Sequence, residues 1–86
     1  MSYQVHIFPE ARKTLKKLDR IISGRIIKRL EELAENPFDP RRSRQKETDP
    51  DSRYSRVGDW RIIYQVEEKG QTLYITAIRP RSRAYR

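Results

Sequence analysis

The side chains of this sequence that could do chemistry are arginines, which gather beside one short turn and near the last residues. Arg56 and Arg61 flank the pair Gly58-Asp59, and residues 79–86 hold four arginines and no acidic residue. Because side chains alternate along a strand, Arg56 and Arg61 share one face of a strand pair that turns at Gly58-Asp59. The C-terminal residues leave the end of the last predicted strand, so they should bring further arginines near the same face, namely Arg79, Arg81 and Arg83.

Arginines that converge beside Tyr54 and Tyr85 suit the binding of a phosphodiester, since a planar guanidinium forms paired hydrogen bonds with phosphate. In RNA the ribose 2′-hydroxyl can attack the adjacent phosphorus in line, and negative charge then collects on the phosphoryl oxygens. One well-placed donor contributes roughly 10²–10³ in rate. Several arginines can therefore support RNA cleavage without a metal.

The sequence offers no evident general base for this reaction. Histidine is the usual choice, but His6 is the only one and belongs to the first predicted strand, away from the C-terminal residues. A tyrosine hydroxyl such as that of Tyr85 is too weak an acid to act without help from surrounding cations. The alternative, in which the arginines are solvated or paired with carboxylates and Tyr85 only packs the chain end, stays open.

Composition excludes most other kinds of site. The 86 residues carry 20 Lys+Arg against 12 Asp+Glu, a formal charge of +8. With no cysteine and one histidine, the sequence excludes disulfides, cysteine-based zinc sites and metal sites that need two imidazoles. It predicts a single domain over residues 1–86, without metal or cofactor, whose partner is polyanionic.

The hydropathy pattern predicts neither a membrane span nor a secreted protein. Apolar stretches are only two or three residues long, and no signal-peptide pattern opens the chain. We therefore expect a cytoplasmic location and no membrane partner.

The elements that must position the arginines follow from periodicity and from helix and turn signals. The predicted order is a strand at Tyr3–Phe8, a helix from Pro9, a second helix from Asp19 to Asn36, and strands at Arg53–Val57, Trp60–Glu67 and Thr72–Arg79. Residues 37–52 lack periodicity and are predicted to form a mobile loop. The fold class is therefore α+β, with an antiparallel helix hairpin on a four-stranded, mostly antiparallel sheet.

Four features stand in order along the chain: Ala11-x-x-x-Leu15-x-x-Leu18, the stop at Asn36-Pro37, the segment Arg56-Val57-Gly58-Asp59-Trp60-Arg61-Ile62-Ile63-Tyr64, and the ending Arg81-x-x-x-Tyr85. Together they resemble the RelE/ParE superfamily of toxins from toxin–antitoxin modules, especially the archaeal type of RelE. The resemblance covers nearly the whole chain except residues 37–52. It implies a RelE-like toxin domain with the βααβββ fold.

The resemblance also implies a function and partners. It implies the toxin of a type II toxin–antitoxin system, an endoribonuclease that cleaves mRNA in the ribosomal A site. The ribosome, mRNA and a cognate RelB-like antitoxin are then the partners, and operator DNA is bound only through the antitoxin complex.

Carried over residue by residue, the resemblance assigns catalytic roles to Arg56, Arg61, Arg81 and Tyr85. We expect the substrate-binding residues to be Lys46, Arg53, Tyr54, Arg79 and Arg83. Bacterial RelE has paired lysines on the second strand, one of them the probable base, where this chain has Tyr54 and Arg56. The lysine–leucine pair that the family usually has before that strand is also missing; Ser43-Arg44-Gln45-Lys46 stands in that region, which leaves Lys46 as a candidate.

Two alternatives remain at this point. One is a ParE-like member of the same fold that inhibits DNA gyrase and does not cleave RNA. The other is an RNA-binding or antitoxin-binding relic that has kept the basic face and lost the reaction, which the missing lysines favour.

Overall fold

The architecture is a pair of helices packed on one face of a mixed five-stranded sheet. The computed structural model describes residues 2–81. The elements are β1 (Gln4–Ile7), α1 (Pro9–Lys17), α2 (Arg20–Glu35), β2 (Arg44–Gln45), β3 (Arg53–Val57), β4 (Trp60–Glu67) and β5 (Thr72–Pro80). The sheet order is β1-β5-β4-β3-β2, with β1 parallel to β5 and the other pairs antiparallel. The predicted α+β class, with one strand, two helices and three longer strands in that order, is confirmed.

Both helices begin where the sequence predicts. Pro9 is the first residue of α1, a position where its missing amide hydrogen costs no helical hydrogen bond. Asp19 caps α2, because its Oδ1 accepts a hydrogen bond from the amide of Ile22 at 2.9 Å. Helix α2 ends at Glu35, just before the predicted stop at Asn36-Pro37. Within residues 2–81, neither helix is long and apolar enough to cross a membrane.

The core lies between the helices and one face of the central strands. The fully buried apolar residues that the two layers share are Ala11, Ile26, Leu33, Ile62, Tyr64, Leu73 and Ile75. In β4, Ile62 and Tyr64 join this core whereas Arg61 does not, as strand alternation predicts. The helices therefore leave the opposite face of the sheet to Arg56 of β3 and Arg61 of β4.

A bulge in β5 brings another arginine into line with that face. Tyr64 lies opposite Ile75 whereas Ile63 lies opposite Ala77, so Thr76 is an extra residue in the pairing. The Oγ1 of Thr76 donates a hydrogen bond to the carbonyl oxygen of Ile63 at 3.2 Å. Beyond the bulge, the register therefore places Arg79 directly opposite Arg61.

Residues 37–52 are more regular than the mobile loop that the sequence predicts. Arg44 and Gln45 pair with Tyr54 and Arg53 as the short strand β2, which makes the sheet five-stranded rather than four-stranded. The hydroxyl of Tyr64 donates to the carbonyl oxygen of Pro37 at 2.7 Å and so ties the start of this segment to the core. Two exposed polar residues show no alternation, so the sequence could not indicate this strand.

Candidate active site

Three arginines lie side by side across the central strands. Arg56 of β3 is the register partner of Arg61 in β4, and Arg61 is the register partner of Arg79 in β5. Neighbouring strands are about 4.8 Å apart, so the three backbone positions fall in one short row. We call these three residues the arginine row. This row confirms the predicted approach of Arg56 and Arg61 across the turn at Gly58-Asp59.

Arg61 is held in place by Tyr54. Its guanidinium carbon lies 4.3 Å from the centre of the Tyr54 ring, a close cation–π contact. Arg61 is only 8% exposed although it lies on the face away from the helices. The stack fixes the direction of this guanidinium on the sheet face away from the helices.

Arg81 is anchored beside the same turn. Its backbone amide donates a hydrogen bond to the carbonyl oxygen of Asp59 at 2.7 Å, and the residue itself is exposed. The chain therefore leaves β5 next to the turn that joins Arg56 to Arg61, as predicted. The predicted site residues Arg83 and Tyr85 lie outside the described residues.

An open cavity adjoins the stacked pair. It has a volume of about 700 Å³, and we call it the loop cavity. It is lined by Pro40, Ser43, Arg44, Gln45, Lys46, Glu47, Thr48, Tyr54 and Arg61. The structure therefore brings Lys46, chosen from the sequence only for its place before the second long strand, to the same cavity as Tyr54 and Arg61.

Arg79 shares the row but directs its guanidinium elsewhere. Its Nη2 lies 3.1 Å from Oε2 of Glu10 in the first turn of α1, and both side chains are about half exposed. Strand β1 pairs with β5 only up to Ile75, so α1 can approach the uncovered end of β5. Arg79 is thus an ion-paired residue at this edge in the structure.

Arg53 lies on the other side of the sheet from the predicted site. Its register partner is Tyr64, which faces the helices. The Nε of Arg53 donates to Oγ of Ser43 at 2.7 Å, and its guanidinium lies 5.2 Å from the Phe38 ring centre. Arg53 therefore contacts Phe38 and Ser43, and the structure does not bring it to Arg56 and Arg61.

A second cavity also borders Tyr54 and is lined by residues of α2, residues 41–44 and β3. We call it the arginine cavity; its volume is about 280 Å³. It is lined by Arg29, Arg41, Arg42, Ser43, Arg44, Tyr54 and Arg56. Four of its five arginines were not predicted as site residues, and the run Arg41-Arg42-x-Arg44 was the available signal for three of them. Arg29 sits within a helical pattern and carries no such signal.

Two carboxylates form ion pairs with three arginines of this cavity. Glu32 of α2 lies 3.0 Å from Nε of Arg29 and 3.4 Å from Nη2 of Arg42. Asp39 pairs with Arg42 at 2.7 Å and with Arg41 at 3.2 Å. Hydrogen bonds from Arg41 lower the pKa of Asp39 from 3.8 to about 2, so this carboxylate stays ionised well into the acid range.

His6, the one histidine of the sequence, shares this sheet face through its register with Tyr74 and Gln65 but lies two strands away from Arg61. His6 lies in β1 and packs edge-on against Phe8 and Tyr74, with ring centres 5.7 Å away in each case. Burial raises the pKa of the Tyr64 hydroxyl, which is already committed to Pro37 and Ser43. Among residues 2–81, Lys46 is the predicted site residue with a titratable amine beside Arg61.

Solved toxin structures share this fold. A chain of the RelBE2 toxin–antitoxin complex from Mycobacterium tuberculosis superposes with a TM-score of 0.82 at 22% identity, covering 94% of this chain and all of that one. The isolated RelE toxin of E. coli gives 0.79 at 20% identity, with coverage of 92% and 84%. The two-helix, mixed-sheet architecture is therefore that of RelE toxins.

Sequence comparisons extend the match from fold to family. A chain of the archaeal RelE–RelB complex from Pyrococcus horikoshii is 30% identical over 96% of this chain and 99% of that one, with a TM-score of 0.81. Among curated proteins no significant match is found. The family model described as the ParE toxin of type II toxin–antitoxin systems, parDE, matches residues 5–85.

Fold and family together define a toxin of a type II toxin–antitoxin system from the RelE/ParE superfamily. Within that superfamily, the chain belongs to the ParE toxin family.

Proposed function

We propose that this toxin is a ribosome-dependent endoribonuclease that cleaves mRNA in the ribosomal A site. The observation that carries the proposal is the pair Arg56 and Arg61, opposite each other on the face away from the helices, with Arg81 anchored at the turn between their strands. In this arrangement several guanidinium groups can surround one phosphodiester. The proposed reaction is attack by the ribose 2′-hydroxyl on the adjacent phosphorus, with loss of the 5′-oxygen.

The arginines act in this proposal on the charge that develops during the attack. Arg61 is fixed by its stack on Tyr54, so little reorganisation is needed when the phosphoryl oxygens become more negative. Arg56 approaches from the adjacent strand, and Arg81 reaches the site from the chain that leaves β5. Tyr85 completes the predicted catalytic group, a role that rests on the RelE resemblance alone.

The proposal leaves alignment of the substrate to the ribosome. Lys46 in the loop cavity is the candidate proton acceptor, but its amine must lose a proton before it can act as a base. Without a strong base, in-line geometry must supply much of the rate. We therefore expect mRNA on the ribosome to be cleaved and the same RNA free in solution to be cleaved poorly.

A cognate antitoxin is the second proposed partner. The archaeal and mycobacterial structures that match this chain are complexes of a toxin with its antitoxin. A formal charge of +8 favours a partner that is acidic where it contacts the arginine row. We propose a RelB-like antitoxin, through which alone the toxin is brought to operator DNA.

A ParE-like inhibitor of DNA gyrase is the competing function, because the matching family model is named for ParE. A gyrase inhibitor has no need of guanidinium groups directed at one phosphate. A binding protein that has lost its chemistry would keep the basic face and cleave nothing.

One experiment separates these functions. The purified toxin is added to translating ribosomes, and the 5′ ends of the mRNA are mapped, while a parallel reaction with gyrase is examined for DNA breaks. The endoribonuclease produces cuts in phase with codons. Intact mRNA with broken DNA would establish the gyrase inhibitor, and intact mRNA with intact DNA would establish the relic.

A further inference from the structure

We propose that the arginine cavity is a second phosphate-binding site, which holds a backbone phosphate of the RNA next to the one that reacts. The inference rests on the proposed function for its choice of RNA as the ligand. It concerns residues beyond the predicted catalytic group, above all Arg29, Arg41 and Arg42.

The charge of the cavity is the first argument. Its seven lining residues include five arginines and no acid. Glu32 and Asp39, which pair with three of these arginines, reduce the local charge from +5 to +3. Among residues 2–81, no carboxylate lies within ion-pair distance of Arg44 or Arg56, so the excess is carried by groups that face the cavity.

Other contacts already hold the arginines of the cavity in position. Arg29 donates from Nη1 to Oγ of Ser55 at 2.9 Å and to the carbonyl oxygen of Arg56 at 2.8 Å. Arg42 is held by two carboxylates at once. Each guanidinium has five hydrogen-bond donors, so these contacts fix the groups and still leave donors for a phosphate.

The relation between the two cavities indicates a strand that passes over Tyr54. The arginine cavity and the loop cavity share Ser43, Arg44 and Tyr54 as their common wall. Because the two cavities meet at these residues, a phosphate beside Arg61 in the loop cavity and a phosphate beside Arg42 in the arginine cavity can belong to one chain. Aromatic side chains between cationic patches are a usual feature of single-strand binding sites.

The lining argues against an acidic helix as the ligand. Amphipathic peptides bind in grooves through apolar anchors, and none of the seven lining residues is aliphatic. The cavity is also small, at about 280 Å³. A phosphate group with its charge and compact shape fits these properties better than a protein segment does.

The test is a titration of the whole ¹⁵N-labelled toxin with a short single-stranded 2′-O-methyl RNA, which cannot be cleaved because its attacking hydroxyl is blocked. We expect amide shifts at Arg42, Ser43 and Arg56 in addition to those beside Arg61. We expect Arg42→Gln to weaken binding about tenfold and to reduce the slope of log affinity against log salt by about 0.7. Shifts confined to the loop cavity would overturn the proposal.

Two further variants keep the result clear. Arg42 also supports residues 39–42, so Arg41→Gln is the second test: its side chain is 80% exposed and lines the arginine cavity but not the loop cavity. It should lower the salt slope as well, whereas Arg12→Gln, an exposed change of equal charge on α1, should not. Equal slopes for the Arg41 and Arg12 variants would contradict the phosphate site.

An oligo-glutamate peptide is the comparison ligand. Tighter binding of that peptide with the same shifts would assign the cavity to a protein partner and overturn the RNA assignment. The titration needs no cleavage, so its failure and that of the proposed function are distinguishable. RNA binding in the cavity without ribosomal cleavage would refute only the nuclease, and cleavage with unchanged affinity in both cavity variants would refute only the cavity.

Discussion

At the scale of single residues, the contact that matters most is the stack of Arg61 on Tyr54. The stack holds a long, flexible side chain in one direction at a buried position. Arg56 and Arg81 stand beside it with little burial, so they supply charge where Arg61 supplies charge and direction. The three arginines are therefore expected to differ in how well lysine replaces them.

This difference gives the first prediction. Arg61→Lys retains the charge but loses the planar group that stacks on Tyr54, so ribosomal mRNA cleavage should fall by roughly 10²–10³-fold. Arg56→Lys should retain much more activity because Arg56 stacks on no aromatic ring among residues 2–81. Rates of mRNA cleavage on ribosomes, measured beside urea unfolding midpoints, check this. Equal losses in the two lysine variants would show that the stack has no part in the reaction.

At the scale of elements, the N-cap of α2 and the hydrogen bonds of residues 37–43 fix the position of the site residues. Asp19 begins the helix whose Arg29 and Glu32 form one wall of the arginine cavity. Pro37 and Ser43 bind the hydroxyl of Tyr64 in β4, and Asp39 pairs with Arg42 within the same segment. The site thus depends on two local features that can be tested without any activity assay.

The helix cap gives the second prediction. Asp19→Ala removes the hydrogen bond to the Ile22 amide and should lower the free energy of unfolding by about 1 kcal/mol. Asp19→Asn can still accept that hydrogen bond and should lose much less. Urea unfolding at neutral pH provides the measurement. If the alanine variant were as stable as wild type, the cap would contribute nothing to the fold.

Asp39 gives the third prediction, which concerns pH. Its pKa is about 2 in the folded protein, against an ordinary value of 3.8. A carboxyl with a lowered folded pKa stabilises the fold above its unfolded pKa, and that stabilisation is lost as the pH falls toward the folded value. The unfolding midpoint of wild type should therefore fall relative to that of Asp39→Asn between about pH 4 and pH 2. Parallel curves for the two proteins in this range would rule out the assigned role of the Arg41 and Arg42 contacts.

At the scale of the whole molecule, the excess of positive charge explains partners better than it explains the fold. A charge of +8 on a small domain attracts polyanions over distances that salt shortens, which agrees with the proposed RNA and antitoxin partners. In the proposed function, the antitoxin stops the reaction by covering the arginine row. Charge alone does not separate a nuclease from a gyrase inhibitor, and only the arrangement of Arg56, Arg61 and Arg81 favours the first.

The antitoxin gives the fourth prediction. When the toxin is tagged and co-expressed with the untagged product of its neighbouring gene, the two should purify together, and mRNA cleavage should stop. Raising the salt should weaken the complex, since charge complementarity contributes to it. Purification of the toxin alone at low salt would contradict the expected partner.

The sequence predicts the frame of this molecule better than its cavities. The local signals are Asp19, Asn36-Pro37 and Gly58-Asp59. They predict the helices, the two strands that meet at the turn and the sheet face on which Arg61 lies. The positions of Arg53 and Arg79 depend on tertiary contacts with Ser43 and Glu10, which no local pattern contains. Strand β2 and the arginine cavity escape prediction for the same reason, because they form only when residues 41–45 fold back on β3 and α2.

The central claim is tested most directly by comparing wild type with Arg81→Ala on translating ribosomes. The backbone amide of Arg81 makes the contact with Asp59, so alanine keeps that anchor and removes only the exposed guanidinium. We predict that the variant folds and binds ribosomes like wild type but cleaves mRNA roughly 10²–10³-fold more slowly, while Arg12→Ala cleaves normally. Cleavage by Arg81→Ala at the wild-type rate, or intact mRNA with wild type itself, would contradict the account.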